Sequence, residues 1–321
     1  MSVGTSERGR SLAAVDRVEL TRALRGTGLW LDVGIASIRL HSDCPALVPQ
    51  LQVVYGEFAF NDHAEWADLH VRIDVVAGLR RWFRPQINLR CDSELPFDPF
   101  PADSPLPLFE WGCNWLIGHR MNDVLLLHAG AVEKDGLALL LPALPGSGKS
   151  TLTAALSQRG WRLLSDEFGA FDPQRGEFRA VLKPIALKNQ SIDVIRSFAP
   201  QAVFGPEFPN TRKGTVAHLA PQREAVALRH IGARPGAVVL PRWEAGSATR
   251  WEPLPDNVMF SSLAFNAFNY STLGAVGFES VVRLVRQCPG WQLIYSDLDD
   301  AVATIEAVWP QVRERNEAAR R

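Results

Sequence analysis

The sequence predicts an α/β protein in which a phosphate-binding loop follows an apolar strand. Three observations carry that expectation. The apolar run LALLLP leads directly into the glycine-rich text ALPGSGKST. The residues from Lys149 onward read as a helix that stops at Gly160. RLLSDE then reads as a strand ending in two acids, Asp166 and Glu167. Strand, loop, helix and strand in that order form a βαβ unit, with the phosphate loop at one edge of the sheet.

Composition narrows the function classes. The chain has 321 residues, 46% hydrophobic and 21% charged, enough for one large domain or two ordinary ones. A formal net charge of −1 argues against a protein built on nucleic-acid backbone contacts, so no nucleic acid is expected as partner. Cys44, Cys91, Cys113 and Cys288 are scattered, which indicates neither a zinc knuckle nor a disulfide framework. Reduced thiols are expected. The N-terminal text lacks the apolar run of a signal peptide, and no stretch has the length of a membrane span. A cytoplasmic protein with no membrane partner is therefore expected.

Residues 1–20 begin polar and are expected to fray. From Leu29 to Leu95 a small α+β unit is expected. LWLDVGIASIRLHS is strand-like, Leu69, Val71, Ile73 and Val75 alternate as on a half-buried strand, and RRWFRPQINLRCD is a further strand around Pro85. PFDPFPADSPLP holds five prolines and reads as a linker, since proline fixes φ and lacks a donor. The expected organisation is an α+β N-terminal region over 1–104, with the linker at its end, and a phosphate-loop domain over 105–321. PLFEWGCNWLIGHRMND reads as a helix, and VLLLHAGAVEK as a strand turning at Lys134–Gly136. Ala237–Leu240 and WQLIYSD read as strands. MFSSLAFNAFNYSTLG, FESVVRLVRQC and the C-terminal DDAVATIEAVWPQVRERNEAARR read as helices.

The loop has a chemical rationale. Glycines let the backbone curve so that its N–H groups converge on phosphate, and the following helix adds its positive end. Pro145, Gly146, Ser147, Gly148, Lys149, Ser150 and Thr151 are expected to hold ATP, Lys149 reaching the β- and γ-phosphates and Ser150 binding Mg²⁺. Ala143 stands where the usual pattern has its first glycine. Asp166 and Glu167, as neighbours on a strand, are expected to face opposite ways and divide the work. One suits Mg²⁺, and the other suits the proton of an attacking hydroxyl. His128 ends a strand beside the loop strand and is a catalytic candidate, against the plainer reading of a satisfied core histidine. Arg212 and Lys213, near a glycine, suit phosphate or an acidic peptide, or else a solvated loop. Lys183, Lys188 and Asn189 have no diagnostic spacing. Asn266, Asn269 and Tyr270 are expected to satisfy neighbouring backbone, and the ten tryptophans to pack.

The run from His128 through PGSGKS and QRG to LLSDE resembles the catalytic core of HPr kinase/phosphorylase. The wider chain, about residues 105–305, is similar to the bacterial group called HprK-related kinase A, through LFEWGCNW, LHAGAVEKDG, RGWRLLSDE, LKNQSIDVI, TRKGTVAHL, NAFNYS and YSDLDDAV. The resemblance implies a P-loop domain of the HPr kinase/PEP carboxykinase type and ATP-dependent phosphorylation of a serine or other hydroxyl. It implies Asp166 as the catalytic acid that acts as base, with His128 near it. Ser150 and Glu167 are implied as Mg²⁺ neighbours, Glu167 standing where the family carries Asp. Thr151 departs from the family's Glu, and LKNQSID stands where a Glu-Ile-Arg-Gly-Leu-Gly segment is usual. Neither HPr as acceptor nor a reverse phosphorylase activity is therefore implied. Related short kinases act on peptides, which makes a peptide or small protein the expected acceptor. HPr kinases are hexamers, so a homo-oligomer is a further implied partner. The alternatives are a nucleotide-binding regulator with little transfer, and a small-molecule hydroxyl kinase.

Overall fold

The computed structural model describes residues 9–78, 83–144 and 146–319 and has a mixed α/β architecture with three sheets. Residues 1–8 of the stretch 1–20 expected to fray, Arg80, Arg81 and Trp82 of the expected third strand, and the last two arginines lie outside that description, while Leu12, Val15 and Leu20 of that stretch are buried.

The N-terminal part runs α1 (Arg17–Arg25), β1 (Leu29–Asp32), β2 (Ser37–Ser42), α2 (Leu47–Val54), β3 (Leu69–Val75), β4 (Gln86–Cys91), β5 (Phe100–Pro101) and α3 (Pro105–Arg120). Asp16 caps α1 by accepting the Val18 amide at 2.7 Å. Its five strands form one sheet in sequence order. Alternation holds on β3, where Leu69, Val71 and Ile73 are buried and His70 and Arg72 exposed. The proline-rich stretch is not a linker. Phe100 and Pro101 pair with Gln86 and Ile87, and Pro105 starts α3 at the one helical turn that tolerates proline. The helix then packs on β3 and β4. Gly112 permits that approach, because a Cβ there would come 2.5 Å from a Leu89 methyl.

The chain continues through β6 (Leu125–Lys134), β7 (Leu137–Pro142), α4 (Lys149–Gln158), β8 (Arg162–Ser165), β9 (Phe168–Asp172) and β10 (Glu177–Arg179). Next come β11 (Ile185–Lys188), α5 (Gln190–Phe198), β12 (Phe208–Thr211), β13 (Gly214–Leu219), α6 (Arg223–Ala227), β14 (Arg234–Trp243) and β15 (Arg250–Pro253). It ends with α7 (Asp256–Phe265), α8 (Tyr270–Leu273), α9 (Ala275–Gln287), β16 (Gly290–Tyr295) and α10 (Leu298–Ala318). The eight-stranded sheet has the order β10-β9-β6-β7-β14-β16-β15, with β8 also paired to β6. Every residue of β7 is buried, as a central strand covered on both faces requires. The glycine-rich loop therefore follows a central strand and lies at the sheet's end. Asp135 and Gly136, both with positive φ, make the tight turn from β6 into β7. β11, β13 and β12 form a small third sheet, and α4 packs against β11 and α5.

Two further elements differ from expectation. MFSSLAFNAFNYSTLG is two helices, with a non-helical break at 266–269. The break lies beside the half of β6 that β7 does not pair: the His128 amide donates to Asn266 O at 2.6 Å and the Phe268 amide to Leu126 O at 2.8 Å. Buried Asn269 locks it there, accepting the Leu126 amide at 3.0 Å and donating to Val124 O at 2.8 Å. The second strand of the βαβ unit also ends early. β8 stops at Ser165, and Asp166 and Glu167 occupy a bend before β9. One contiguous apolar core runs from Leu12 to Val312. The four cysteines are buried and free. Among the described residues, no helix is long and apolar enough to cross a membrane.

Candidate functional site

β7 delivers the chain into a glycine-rich turn whose backbone only glycine adopts easily. Gly146 and Gly148 have φ of 88° and 89°. A Cβ on Gly148 would also come 2.6 Å from the Tyr295 hydroxyl oxygen. Neighbouring strands brace the turn. The Trp243 amide donates to Ser147 O at 3.0 Å, Ser147 Oγ donates to Leu144 O at 2.7 Å, and the Tyr295 hydroxyl donates to Gly148 O at 3.3 Å. Pro145 lies outside the described residues. Lys149 opens α4 and is buried; Ser150 and Thr151 follow, half-buried. α4 sits close on β6 because residue 130 is glycine, where a Cβ would come 2.1 Å from Thr153 Oγ1.

Both acids lie beside the same lysine, Asp166 through its backbone carbonyl and Glu167 through its carboxylate. The Ser165 hydroxyl accepts the amides of Glu167 at 3.3 Å and Phe168 at 3.0 Å, taking both acids out of the ladder. Lys149 Nζ donates to the Asp166 carbonyl at 3.0 Å and lies 3.9 Å from Glu167 Oε2. His128 Nε2 is 3.6 Å from Glu167 Oε1. The Phe268 ring lies edge-on to His128, with centroids 5.5 Å apart.

Burial separates the acids electrostatically. It pushes the Asp166 carboxyl up to about 6, with Glu167 adding to the rise, while Lys149, the Ser150 hydroxyl and Lys188 oppose it. Asp166 Oδ1 is buried without a hydrogen-bond partner. For Glu167, burial again favours the neutral acid, yet Lys149, His128, Lys183 and Lys188 outweigh it and hold the carboxyl below its ordinary value. Burial, with Lys149, Lys188 and Lys213, lowers His128, while Glu167 opposes that fall. One acid is thus held charged while its neighbour is poised near neutrality.

The structure gathers His128, Lys149, Ser150, Asp166 and Glu167. It separates the other expected pair. Both are exposed, but Lys213 feels Lys188, Glu167 and Lys149, whereas Arg212 points to Asp98 at 3.7 Å. Sequence reasoning missed a buried polar network behind the site. Lys183 Nζ donates to Glu110 Oε2 at 3.1 Å and to Asn114 Oδ1, and the Tyr55 hydroxyl donates to Glu110 Oε1 at 2.5 Å. The available signal was a lone acid inside the apolar LFEWGC and a lone lysine inside VLKPIAL, each needing a partner if buried. Two cavities, of about 320 and 480 Å³, lie away from this site, along α9 and around Arg286, Trp291 and Arg315.

The residues suit a nucleotide and a hard cation. Gly146 and Gly148 give the loop its positive-φ turn, the orphaned Asp166 oxygen lacks a donor, and the nearby ligands are oxygens. Among the described residues, no group of three or more His, Cys, Asp or Glu converges on one point. Comparison with protein-family models and with curated proteins finds no match to this chain.

Proposed function

We propose that the chain is an ATP-dependent kinase that transfers the γ-phosphate to a hydroxyl, a serine in a peptide or small protein, on a P-loop domain of the HPr kinase type. The observation that carries this reading is the buried carboxylate of Asp166, with one oxygen unpartnered, on a residue whose carbonyl accepts from the lysine that ends a positive-φ glycine loop. Loop amides and Lys149 bind the triphosphate and orient its terminal group. Asp166, with a pKa near 6, is largely ionised at neutral pH yet basic enough to accept the acceptor hydroxyl's proton. Glu167 stays charged, with His128 Nε2 beside it at 3.6 Å. Ser150 and Glu167 are the residues that would hold Mg²⁺, which when bound neutralises phosphate charge. The test is incubation with γ-labelled ATP, Mg²⁺ and candidate peptides. Label transfer is expected from wild type and its loss, by about 10²-fold or more, from Asp166→Asn, within the range for a general base. Equal transfer by both proteins would remove Asp166 from the chemistry.

A further inference from the structure

Asn189 sits between two cations of the site in a conformation that asparagine rarely adopts. Its φ is 51° and ψ −127°, outside the ordinary left-handed well and in territory that glycine alone enters easily. It joins the end of β11, where Lys188 lies, to the start of α5. Its carbonyl accepts the Ile192 amide of α5 at 3.1 Å, and its amide and side chain bond the start of β13. The Asn189 amide donates to Thr215 O at 2.9 Å, and Asn189 Oδ1 accepts the Thr215 amide at 3.1 Å. Residue 214 must be small to allow this: Gly214 has φ 82°, and a Cβ there would come 2.3 Å from Asn189 Oδ1. Thr211 closes the turn between β12 and β13, its hydroxyl donating to Gly214 O at 2.6 Å and accepting the Lys213 amide at 3.1 Å. Lys213 is on that turn and lies over the Trp111 ring, 5.7 Å from its centroid.

We infer that Asn189 is a positioning residue: its unusual backbone and side-chain lock on Thr215 hold Lys188 and Lys213 as a preformed pair of cations facing the acids and His128, ready for an anionic group of a reactant. The arrangement rests on the kinase reading for what the anion is, but the lock itself is geometric. The charges of Lys188 and Lys213 both reach His128, and Lys188 also reaches Asp166 and Glu167. A conformation held against its intrinsic preference persists when surrounding contacts fix it, and such residues concentrate at ligand sites. Two lysines brought close in advance lose less freedom when an anion arrives than two that swing free.

Asn189→Gly separates this role from a structural one, because glycine accepts the backbone but lacks Oδ1. Its melting temperature is expected at or above wild type. Calorimetry with inorganic phosphate in the presence of Mg·ADP is expected to show about tenfold weaker phosphate binding, matching Lys188→Ala and Lys213→Ala, with no further loss when Asn189→Gly is combined with either. Mg·ADP affinity itself should not move. If Mg·ATP weakens in parallel, the pair takes the nucleotide's terminal phosphate; if only free phosphate weakens, it takes an anion on the acceptor. Unchanged phosphate binding in Asn189→Gly, or losses that simply add, would overturn the inference. Failure of wild type to bind Mg·ADP would instead count against the kinase reading, leaving the two failures distinguishable.

Discussion

Lys149 and Lys183 are both nearly sealed from water, with side chains 9% and 7% exposed, and their surroundings differ. Around Lys183 every charge has a partner. Glu110 and Asn114 take its protons, and Tyr55 satisfies the other Glu110 oxygen. Around Lys149 the account is incomplete. Its ammonium donates to one backbone carbonyl, Glu167 stands off at 3.9 Å, and Asp166 Oδ1 has no donor. Completed buried networks hold a fold in one arrangement, while incomplete ones carry a standing cost that a ligand can relieve. The first region ties α2 and α3 to the segment leading into β11, and the second waits at the end of β7.

The contrast breaks most visibly by cutting the completed network. Lys183→Met strands a buried Glu110 and is expected to lower unfolding free energy by about 3–5 kcal/mol in urea denaturation. Adding Glu110→Gln should restore part of that loss, and a single variant no less stable than wild type would remove the distinction. At the incomplete site the expected sign reverses. Asp166 has a folded pKa of about 6, above its ordinary 3.8, so the folded state binds the extra proton. Its contribution is therefore full below pH 4 and is lost as pH rises through 6, by the linkage between proton binding and stability. Asp166→Asn should melt higher than wild type at pH 7.5, and the gain should vanish near pH 4. A gain independent of pH would mean that Asp166 carries no such cost. The smallest effect is expected for Tyr55→Phe, which removes one donor to Glu110 and should cost about 1–3 kcal/mol, with nucleotide affinity unchanged by calorimetry.

The same contrast explains what could be read in the sequence. The loop, its lysine and the two acids lie within Gly146–Glu167, so local spacing was enough to propose them together. Residues that complete the surroundings come from far away: Lys183 meets Glu110 across 73 positions, and Phe268 reaches His128 through the sheet slot that β7 vacates. No local pattern encodes such pairings. Composition misled at the proline-rich stretch, where β4 supplies a partner strand and α3 accepts proline in its first turn. Pattern also misled at 266–269, because backbone bonding to β6 outweighs the helical tendency of the flanking residues. The Ser165 hydroxyl, which accepts the Glu167 and Phe168 amides where the strand ends, is a local detail that strand alternation cannot anticipate.

The central claim is that the loop ending in Lys149 seats a triphosphate. Titration calorimetry of Mg·ATP against wild type and Lys149→Ala tests it most directly, with circular dichroism confirming that both are folded. Saturable binding to wild type, weakened by about 10²-fold in the variant on the scale of a lost charged contact to phosphate, is the predicted result. Folded wild type that takes up no Mg·ATP, or a variant that binds it equally well, would contradict the account.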